Sequence, residues 1–159
     1  MDRESLKALL DSMPEEERRI FIQFNVPSLK NSKVATGKGV FHSKTVRKYL
    51  QNLGVKGYRK KEHEDYKKRP NLFEEAVAPL REYLTGIEPP YILRLHFIRD
   101  TKRKFDFINA CQIIFDLLVA HQVIEDDNMD WLIPMPLMIN WKWYSVDKEH
   151  AGVIIEVEI

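Results

Sequence analysis

The residues best suited to chemistry lie between positions 99 and 130. One carboxylate, Asp106, follows a run of basic residues, and further carboxylates follow the apolar-rich stretch 107–121. The basic residues are Arg99, Lys102, Arg103 and Lys104, and the later acids are Glu125, Asp126 and Asp127. Mg²⁺ prefers carboxylate oxygens and keeps several waters, and neighbouring cations suit a phosphate substrate. The pattern therefore predicts metal-assisted chemistry on a phosphate ester.

A narrow polar stripe lies within the apolar stretch. Asn109, Gln112 and Asp116 recur at spacings of three and four, as on one face of a helix. Asp116 follows Asp106 by ten residues, which is about 15 Å along a helix axis. Two ligands of one Mg²⁺ each lie about 2 Å from the ion, so Asp116 is predicted to be structural and to bond the sheet or a neighbouring turn. Asn109 lies one turn from Asp106 and is predicted to ligate the metal or to support a ligand.

The sequence lacks the motifs of several other enzyme classes. The run Thr36-Gly37-Lys38-Gly39 has neither the upstream glycine nor the following Ser or Thr of a P-loop, and HExxH, GxSxG and GxGxxG do not occur. The five histidines are scattered and are predicted to be structural or exposed. The single cysteine, Cys111, excludes an internal disulfide and a multi-cysteine zinc site, and it is predicted to be a small core residue.

Composition predicts a folded domain with segregated charge. The 159 residues are 44% hydrophobic, and no run of 18 apolar residues occurs. The N-terminus lacks the basic start of a secretory signal, which predicts a cytosolic protein of a bacterium, a phage or a eukaryotic cell. Residues 26–69 hold 13 Lys/Arg against 3 Asp/Glu, whereas residues 116–159 hold 2 against 9. The basic lobe would attract polyanions and the acidic cluster divalent cations; the alternative is two solvated faces of a neutral protein.

Hydrophobic periodicity predicts the elements that position these residues. Helices are predicted over 3–12 (with Leu6, Leu9 and Leu10 on one face), over 44–53 with an end at Gly54, over 71–84 with a kink or a delayed start at Pro79, and over 106–120. Strands are predicted over 19–25, 91–98, 130–138 and 152–159, a loop with room for a hairpin over 28–44, and a solvated charge run over 56–70. The order β-α-β-α-β-β behind a leading helix predicts an α/β fold of the α+β type, with one mixed sheet and helices packed on it.

The central segment resembles the RusA-like Holliday-junction resolvases, a family of small phage and bacterial endonucleases. Their hallmark runs from basic residues to D-x-D-N, then to a helix with a lysine and an aspartate, then to a D-D turn. The matching residues here are Lys102-Arg103-Lys104, then Asp106-Phe107-Ile108-Asn109, then Gln112 and Asp116, then Asp126-Asp127. The strand over 91–98, the early stretch RIFIQFNVPSLKN and the closing strand also fit. The resemblance is fairly specific over 88–130 and loose elsewhere.

The resemblance implies a homodimer that cleaves branched DNA with Mg²⁺, for which Mn²⁺ would substitute. It divides the chain into an N-terminal helical extension, 1–17, and a nuclease domain, 18–159, with a basic insertion near 44–70. Asp106 matches the first family carboxylate and Asp127 the last, and Asp126 shares the catalytic turn. Asp106, Asp127, Asn109 and Glu125 are the predicted metal residues, with Glu125 replacing a missing carboxylate. The resemblance also implies a location in the cytoplasm of a bacterial or phage-infected cell.

Two departures from the motif define the alternative function. Ile108 stands where the family has its second aspartate, and Gln112 stands where it has the helix lysine. Isoleucine does not ligate a metal, and a buried carboxylate introduced at position 108 is predicted to restore the motif. The alternative is a non-catalytic relative that binds DNA junctions but has lost the activity. A further alternative is an interaction domain that reuses the fold, because fold alone does not decide function.

DNA contacts are predicted for two groups of cations. Lys102, Arg103 and Lys104 would hold the backbone beside the reacting phosphate. A basic lobe would contact more distant phosphates; it comprises Lys30, Lys33, Lys38, Lys44, Arg47 and Lys48, interleaved with Phe41 and Tyr49. The alternative for the lobe is a solvated surface helix. Trp131, Trp141 and Trp143 are predicted to pack in the core or at a dimer interface rather than to act as DNA wedges.

Overall fold

A computed structural model describes residues 2–28, 33–36, 39–55 and 70–159. Its helices are α1 (Arg3–Ser12), α2 (Lys44–Leu53), α3 (Leu72–Thr85) and α4 (Phe107–Ala120), and a short 3-10 helix covers Glu15–Arg18. Its strands are β1 (Arg19–Gln23), β2 (Lys33–Thr36), β3 (Gly39–His42), β4 (Tyr91–Arg99), β5 (Leu132–Pro136), β6 (Tyr144–Val146) and β7 (Gly152–Glu158). Lys30, Lys38 and the charge run over 56–69 lie outside the described residues. No described helix combines the length and the apolar character that crossing a bilayer requires.

The predicted mixed sheet is confirmed and has β4 at its centre. Its strand order is β1-β7-β4-β5, and β6 pairs with β4 beyond the end of β5. β4 runs antiparallel to β7, with Leu95 opposite Ile155, and parallel to β5 and β6. One face of β4 is fully buried, because Leu93, Leu95 and Phe97 alternate along the strand.

One part of the sheet prediction needs correction, and the hairpin for which 28–44 had room is present. β6 was not predicted, because three residues are too short to show a periodicity; pairing with the end of β4 defines it, and the Asp147 amide extends the ladder by donating to the Arg99 carbonyl at 2.9 Å. The room left for a hairpin is occupied by β2 and β3, which form a separate antiparallel pair.

α4 connects the two parallel strands β4 and β5 and carries most of the candidate site. Its predicted span is confirmed, with Asp106 as the residue that caps its N-terminus. The core face consists of Ala110, Cys111, Ile113, Ile114, Phe115, Leu117 and Leu118. The opposite face is exposed at Ile108, Gln112 and Asp116, which follow one another at intervals of four residues. The spacing of the apolar residues along α4 therefore determines which polar side chains are exposed to solvent.

The two N-terminal helices also bury one face each. In α1, Leu6 and Leu10 are buried beside Gly86 at the end of α3, but Leu9 is 45% exposed, so the predicted three-leucine face is wrong at that position. In α2, the buried residues are Val46, Tyr49, Leu50 and Leu53, and the helix ends at Gly54 in the left-handed conformation as predicted. α3 runs as one helix from Leu72 to Thr85 and includes Pro79.

His96, His121 and His150, the histidines whose side chains the structure describes, are structural or exposed, as predicted. His96 is buried, and its Nδ1 lies 2.8 Å from the Leu137 carbonyl while its Nε2 lies 2.7 Å from the Ser145 hydroxyl. A carbonyl only accepts, so Nδ1 carries the proton and Nε2 accepts from Ser145. The imidazole thus links β4 to Leu137, which follows β5, and to Ser145 in β6.

His96 is expected to make the protein less stable in mild acid. Burial lowers the pKa of His96 below its ordinary value of 6.5, so below that pH the unfolded chain binds a proton that the folded chain does not. The free energy of unfolding should therefore be highest above about pH 6.5 and should fall as the pH drops toward the lowered pKa. Urea unfolding of the parent and of His96→Asn between pH 5 and 8 measures this. Parallel pH profiles for the two proteins would contradict the assignment.

Candidate metal and DNA-binding site

Asp106 lies at the junction between the basic loop and α4. Its carboxylate is exposed and accepts a hydrogen bond from the Asn109 backbone amide at 3.2 Å. This is the predicted capping role, in which an acid satisfies a free amide and faces the positive end of the helix dipole. Burial, with a smaller contribution from the charge of Asp106, raises the pKa of the Cys111 thiol to about 12. Cys111 is therefore an unreactive core residue.

Gln112 joins α4 to the acidic turn. Its Nε2 donates to Asp116 Oδ1 at 2.8 Å and to Asp127 Oδ2 at 3.0 Å. The turn thus folds back along the helix and brings Asp127 to its exposed face. Asp116 is linked to the neighbouring turn through this amide, which agrees with its predicted structural role. Glutamine makes these two hydrogen bonds but does not supply the positive charge of the lysine in the motif that the segment resembles.

Asp126 shapes the acidic turn. Its Oδ1 accepts from the Asp127 backbone amide at 2.8 Å, and its Oδ2 accepts from Asn128 Nδ2 at 3.1 Å. Both carboxylate oxygens are therefore engaged within the turn, and Asp127 is the acid that the turn presents to α4. Asp126 was predicted as catalytic; these bonds show that it also shapes the turn, and its catalytic role stays a prediction.

Glu125 is exposed and acts electrostatically on the start of β4. Its charge acts on Tyr91, whose pKa is raised mainly by burial and also by Glu88 and Glu125. Tyr91 begins β4, whereas Asp106 follows the end of that strand. The structure thus places Glu125 within electrostatic range of Tyr91 at the start of β4, and its role as a metal residue stays a prediction.

The described residues contain no group of three His, Cys, Asp or Glu side chains placed to hold one metal ion. Ile108 stands where the motif that the segment resembles has its second acid, two residues after Asp106 and one helical turn before Gln112. Its side chain is 66% exposed. The expectation that a carboxylate at position 108 would be buried is therefore wrong, and a polar side chain fits there without loss of core packing.

The basic loop is fixed to the sheet by aromatic contacts. Phe105 packs edge-on against Phe97 and Tyr144, with ring centroids 5.9 and 5.1 Å away. The Arg99 guanidinium lies 4.6 Å from the Phe105 centroid and donates to the Val26 carbonyl. Arg99 is buried and its pKa is lowered by that burial, so its prediction as a member of the basic loop is wrong. Lys102, Arg103 and Lys104 are exposed beside the start of α4.

α2 presents a second group of cations. Lys44, Arg47 and Lys48 are exposed, because the apolar residues of this helix occupy the face that packs on the core. Lys48 and Asp100 line the same cleft, and Asp100 lies two residues before Lys102. Lys48 of α2 therefore lines the same cleft as the residue at the start of the turn that leads to the basic loop.

Three features of this region were not visible in the sequence. The Gln112–Asp127 hydrogen bond joins residues 15 positions apart, so no local sequence pattern predicts it. Arg99 is buried because β4 extends as far as this residue, which therefore belongs to the strand and not to the loop. Trp141 and Trp143 are 91% and 56% exposed, so their predicted packing in the core is wrong, while their place at a dimer interface stays a prediction.

Searches of family models, of curated proteins and of solved structures gave no significant match to this chain. The likeness to the RusA-like resolvases therefore rests on the spacing of the motif residues themselves. That spacing and the geometry of α4 with its acidic turn are the basis for a functional proposal.

Proposed function

We propose that this chain is a Mg²⁺-dependent endodeoxyribonuclease that hydrolyses phosphodiester bonds in branched DNA. One observation carries the proposal: Gln112 holds Asp127 against the exposed face of the helix that Asp106 caps. The exposed cations of the basic loop lie immediately before that cap. The arrangement combines acids that suit a hard cation with cations that suit the substrate backbone.

The residues present fit a weakly held Mg²⁺. This ion is usually bound by one or two protein carboxylates together with substrate phosphates and waters. Asp106 is exposed and Asp127 half-buried, so both are open to an ion. Asn109 is half-buried one turn into α4 and would support the site. When bound, the ion would activate a water and neutralise charge at the reacting phosphate, and Mn²⁺ would substitute for it.

The chain's own cations bind and orient the DNA in this proposal. Lys102, Arg103 and Lys104 would hold phosphates next to the reacting one, and the face of α2 would hold phosphates farther along the strand. The family resemblance adds a homodimer, in which two copies would act on the two strands of a junction. The same resemblance implies that the proposed activity takes place in the cytoplasm of a bacterial or phage-infected cell.

Removal of the cations of α2 should weaken DNA binding in a salt-dependent way. We expect the triple variant Lys44→Ala/Arg47→Ala/Lys48→Ala to bind a four-way junction less tightly than the parent. The slope of log K against log salt should become shallower by about 0.9 for each cation that contacts a duplex phosphate. Fluorescence anisotropy at several salt concentrations measures both quantities.

The matched control for this binding experiment is Lys7→Ala, which removes an exposed cation from α1. It should leave the slope unchanged. If the triple variant binds the junction like the parent, the face of α2 is only a solvated surface and the DNA-contact assignment is wrong.

A second candidate is a non-catalytic junction-binding relative. The observation that favours it is the exposed Ile108 in a motif position, together with the absence, among the described residues, of three acids around one point. Incubation of the purified chain with a four-way junction and Mg²⁺ or Mn²⁺ separates the candidates. Cleavage supports the nuclease, and binding without cleavage supports the relative. Failure to bind any branched DNA would leave only an interaction domain that reuses the fold.

A further inference from the structure

A cleft of about 530 Å³ lies between the end of β1, α2, the turn after β4 and the loop before β7. Its volume falls within the range typical of small-ligand sites. None of the residues proposed above as metal ligands lines it. The cleft shares Lys48 with the cationic face of α2, however, so it borders the proposed DNA-binding surface.

An exposed aromatic ring forms one wall of the cleft. Phe21 is 44% exposed, and its ring lies against Gly152. A Cβ at position 152 would come within 2.6 Å of the ring atom Cε2, so only glycine leaves room for the ring in this position. An exposed ring held in place in this way is a platform on which a planar group can stack.

The backbone beside this ring is strained. Phe24 has a φ of 78°, which is rare for a bulky residue, and it also lines the cleft. Asn25 follows it, and its Oδ1 accepts from the Asp100 backbone amide at 3.0 Å. This bond ties the turn after β4 to the end of β1. Strained residues that the surrounding structure holds in place are concentrated at binding and catalytic sites.

A polar group in the cleft wall lacks a partner. Tyr49 lines the cleft and is 3% exposed, and its hydroxyl is buried without a hydrogen-bond partner in the described part of the chain. A buried, unpaired hydroxyl destabilises a fold, and native proteins seldom keep one. Burial also raises the pKa of Tyr49, so the hydroxyl stays protonated and is a donor that lacks an acceptor.

The rim of the cleft carries cations. Lys48 and Lys148 line it and form no ion pair with another described residue. His150 lies at the same rim but is engaged by Asp147, with Nδ1 and Oδ2 2.9 Å apart. Two acids, Asp100 and Glu149, also line the cleft. The lysines are therefore the groups available to an anionic ligand.

We propose that this cleft binds one nucleotide, with its base stacked on Phe21 and its phosphate held by Lys48 and Lys148. The Tyr49 hydroxyl is buried in the free protein, so a shift of this side chain on binding would bring it to an acceptor atom of the nucleotide. The combination of a stacking ring, cations and a donor matches the parts of a nucleotide. A base within a duplex is not free to stack on a side chain, so the ligand in DNA is an unpaired nucleotide. The inference rests on the proposed function and names its preferred substrate: branched DNA that carries an unpaired nucleotide.

The first test compares two junctions that differ only in one unpaired 2-aminopurine nucleotide next to the branch. We expect the parent to bind the junction with the unpaired nucleotide more tightly and to quench its 2-aminopurine fluorescence by stacking. Phe21→Ala should reduce that affinity by about 5- to 100-fold, the usual range for loss of one base–aromatic stack. It should leave the paired junction unaffected. Trp143→Ala, which removes another exposed aromatic ring, is the control and should change neither.

The second test uses Tyr49→Phe, which removes only the unpaired hydroxyl. We expect the free variant to have a higher Tm than the parent, because a buried unsatisfied group is lost. We also expect it to bind the unpaired nucleotide more weakly. A higher Tm with unchanged binding would overturn the role of Tyr49 in the cleft.

A third probe, free dAMP, separates this inference from the proposed function. Equal binding of the two junctions, unchanged by Phe21→Ala, would overturn the nucleotide site and leave the nuclease proposal standing. Binding of dAMP that depends on Phe21, without binding of either junction, would support a nucleotide site and overturn the DNA function. Binding of neither dAMP nor a junction would overturn both.

Discussion

Replacing Asp127 with asparagine is expected to abolish Mg²⁺-dependent cleavage of a four-way junction while the junction stays bound as tightly or more tightly. The asparagine side chain would keep an oxygen that accepts from Gln112 Nε2, so the hydrogen bond that folds the turn onto α4 remains possible. The variant loses only a negative charge. Metal ions contribute several kcal/mol of charge stabilisation to the transition state, so loss of a ligand should lower the cleavage rate by about 100-fold or more. Loss of the charge also removes repulsion of the DNA phosphates.

Asp116→Asn is the matched control for this experiment, because Asp116 accepts a hydrogen bond from the same Gln112 atom. Asp116 is predicted to lie too far along the helix to share a metal with Asp106. Its variant should therefore cleave within a few-fold of the parent. Single-turnover cleavage and a binding titration in Ca²⁺ report the two quantities separately. An Asp127→Asn protein that cuts as fast as the parent would contradict the assignment of Asp127 as a metal ligand.

The elements that position the site were predictable because each has a period of its own. β4 alternates apolar and partly polar residues over nine positions, and α4 repeats its apolar face over four turns with an acid at the start. These two patterns were enough to place Asp106 at a helix cap. They were also enough to place Cys111 in the core, since it falls on the apolar face of α4.

The parts of the site that were not predictable depend on contacts between distant residues. The bond from Gln112 to Asp127 depends on how the turn after α4 folds back, and the burial of Arg99 depends on the Val26 carbonyl, 73 residues earlier. The exposure of Ile108 was also missed, because an isoleucine in an apolar-rich helix reads as a core residue. The helical spacing explains why Ile108 is exposed, since it lies on the same face of α4 as Gln112 and Asp116.

The exposure of Ile108 makes Ile108→Asp the most informative gain-of-function change. The new carboxylate would lie two residues from Asp106 and one turn from the amide that holds Asp127, so it would add an acid to the two that are proposed to bind the metal. No core contact is lost at a side chain that is 66% exposed. The first turn of α4 holds no acidic residue, and an acid there is favoured by the helix dipole. The fold should therefore be as stable as that of the parent or slightly more so.

We expect Ile108→Asp to bind Mn²⁺ at least about tenfold more tightly than the parent. Two unit charges 4 Å apart near a protein surface attract each other by about 4 kcal/mol, whereas a tenfold change needs only about 1.4 kcal/mol. Desolvation of the charges can therefore offset most of this attraction before the tenfold gain in Mn²⁺ affinity is lost. Titration followed by the electron paramagnetic resonance of free Mn²⁺ gives the affinity, and junction cleavage gives the consequence for activity.

The control for this change is Ile108→Asn, which has nearly the same shape as the aspartate variant but lacks its charge. It should improve Mn²⁺ binding little. If Ile108→Asp binds Mn²⁺ no better than Ile108→Asn, then Asp106 and Asp127 do not form a metal site around this position. If both the parent and Ile108→Asp cleave junctions, and the variant is faster, the site of the parent is a weakened but working one. Cleavage by Ile108→Asp alone would identify the parent as the junction-binding relative and would trace its lost reaction to this single side chain.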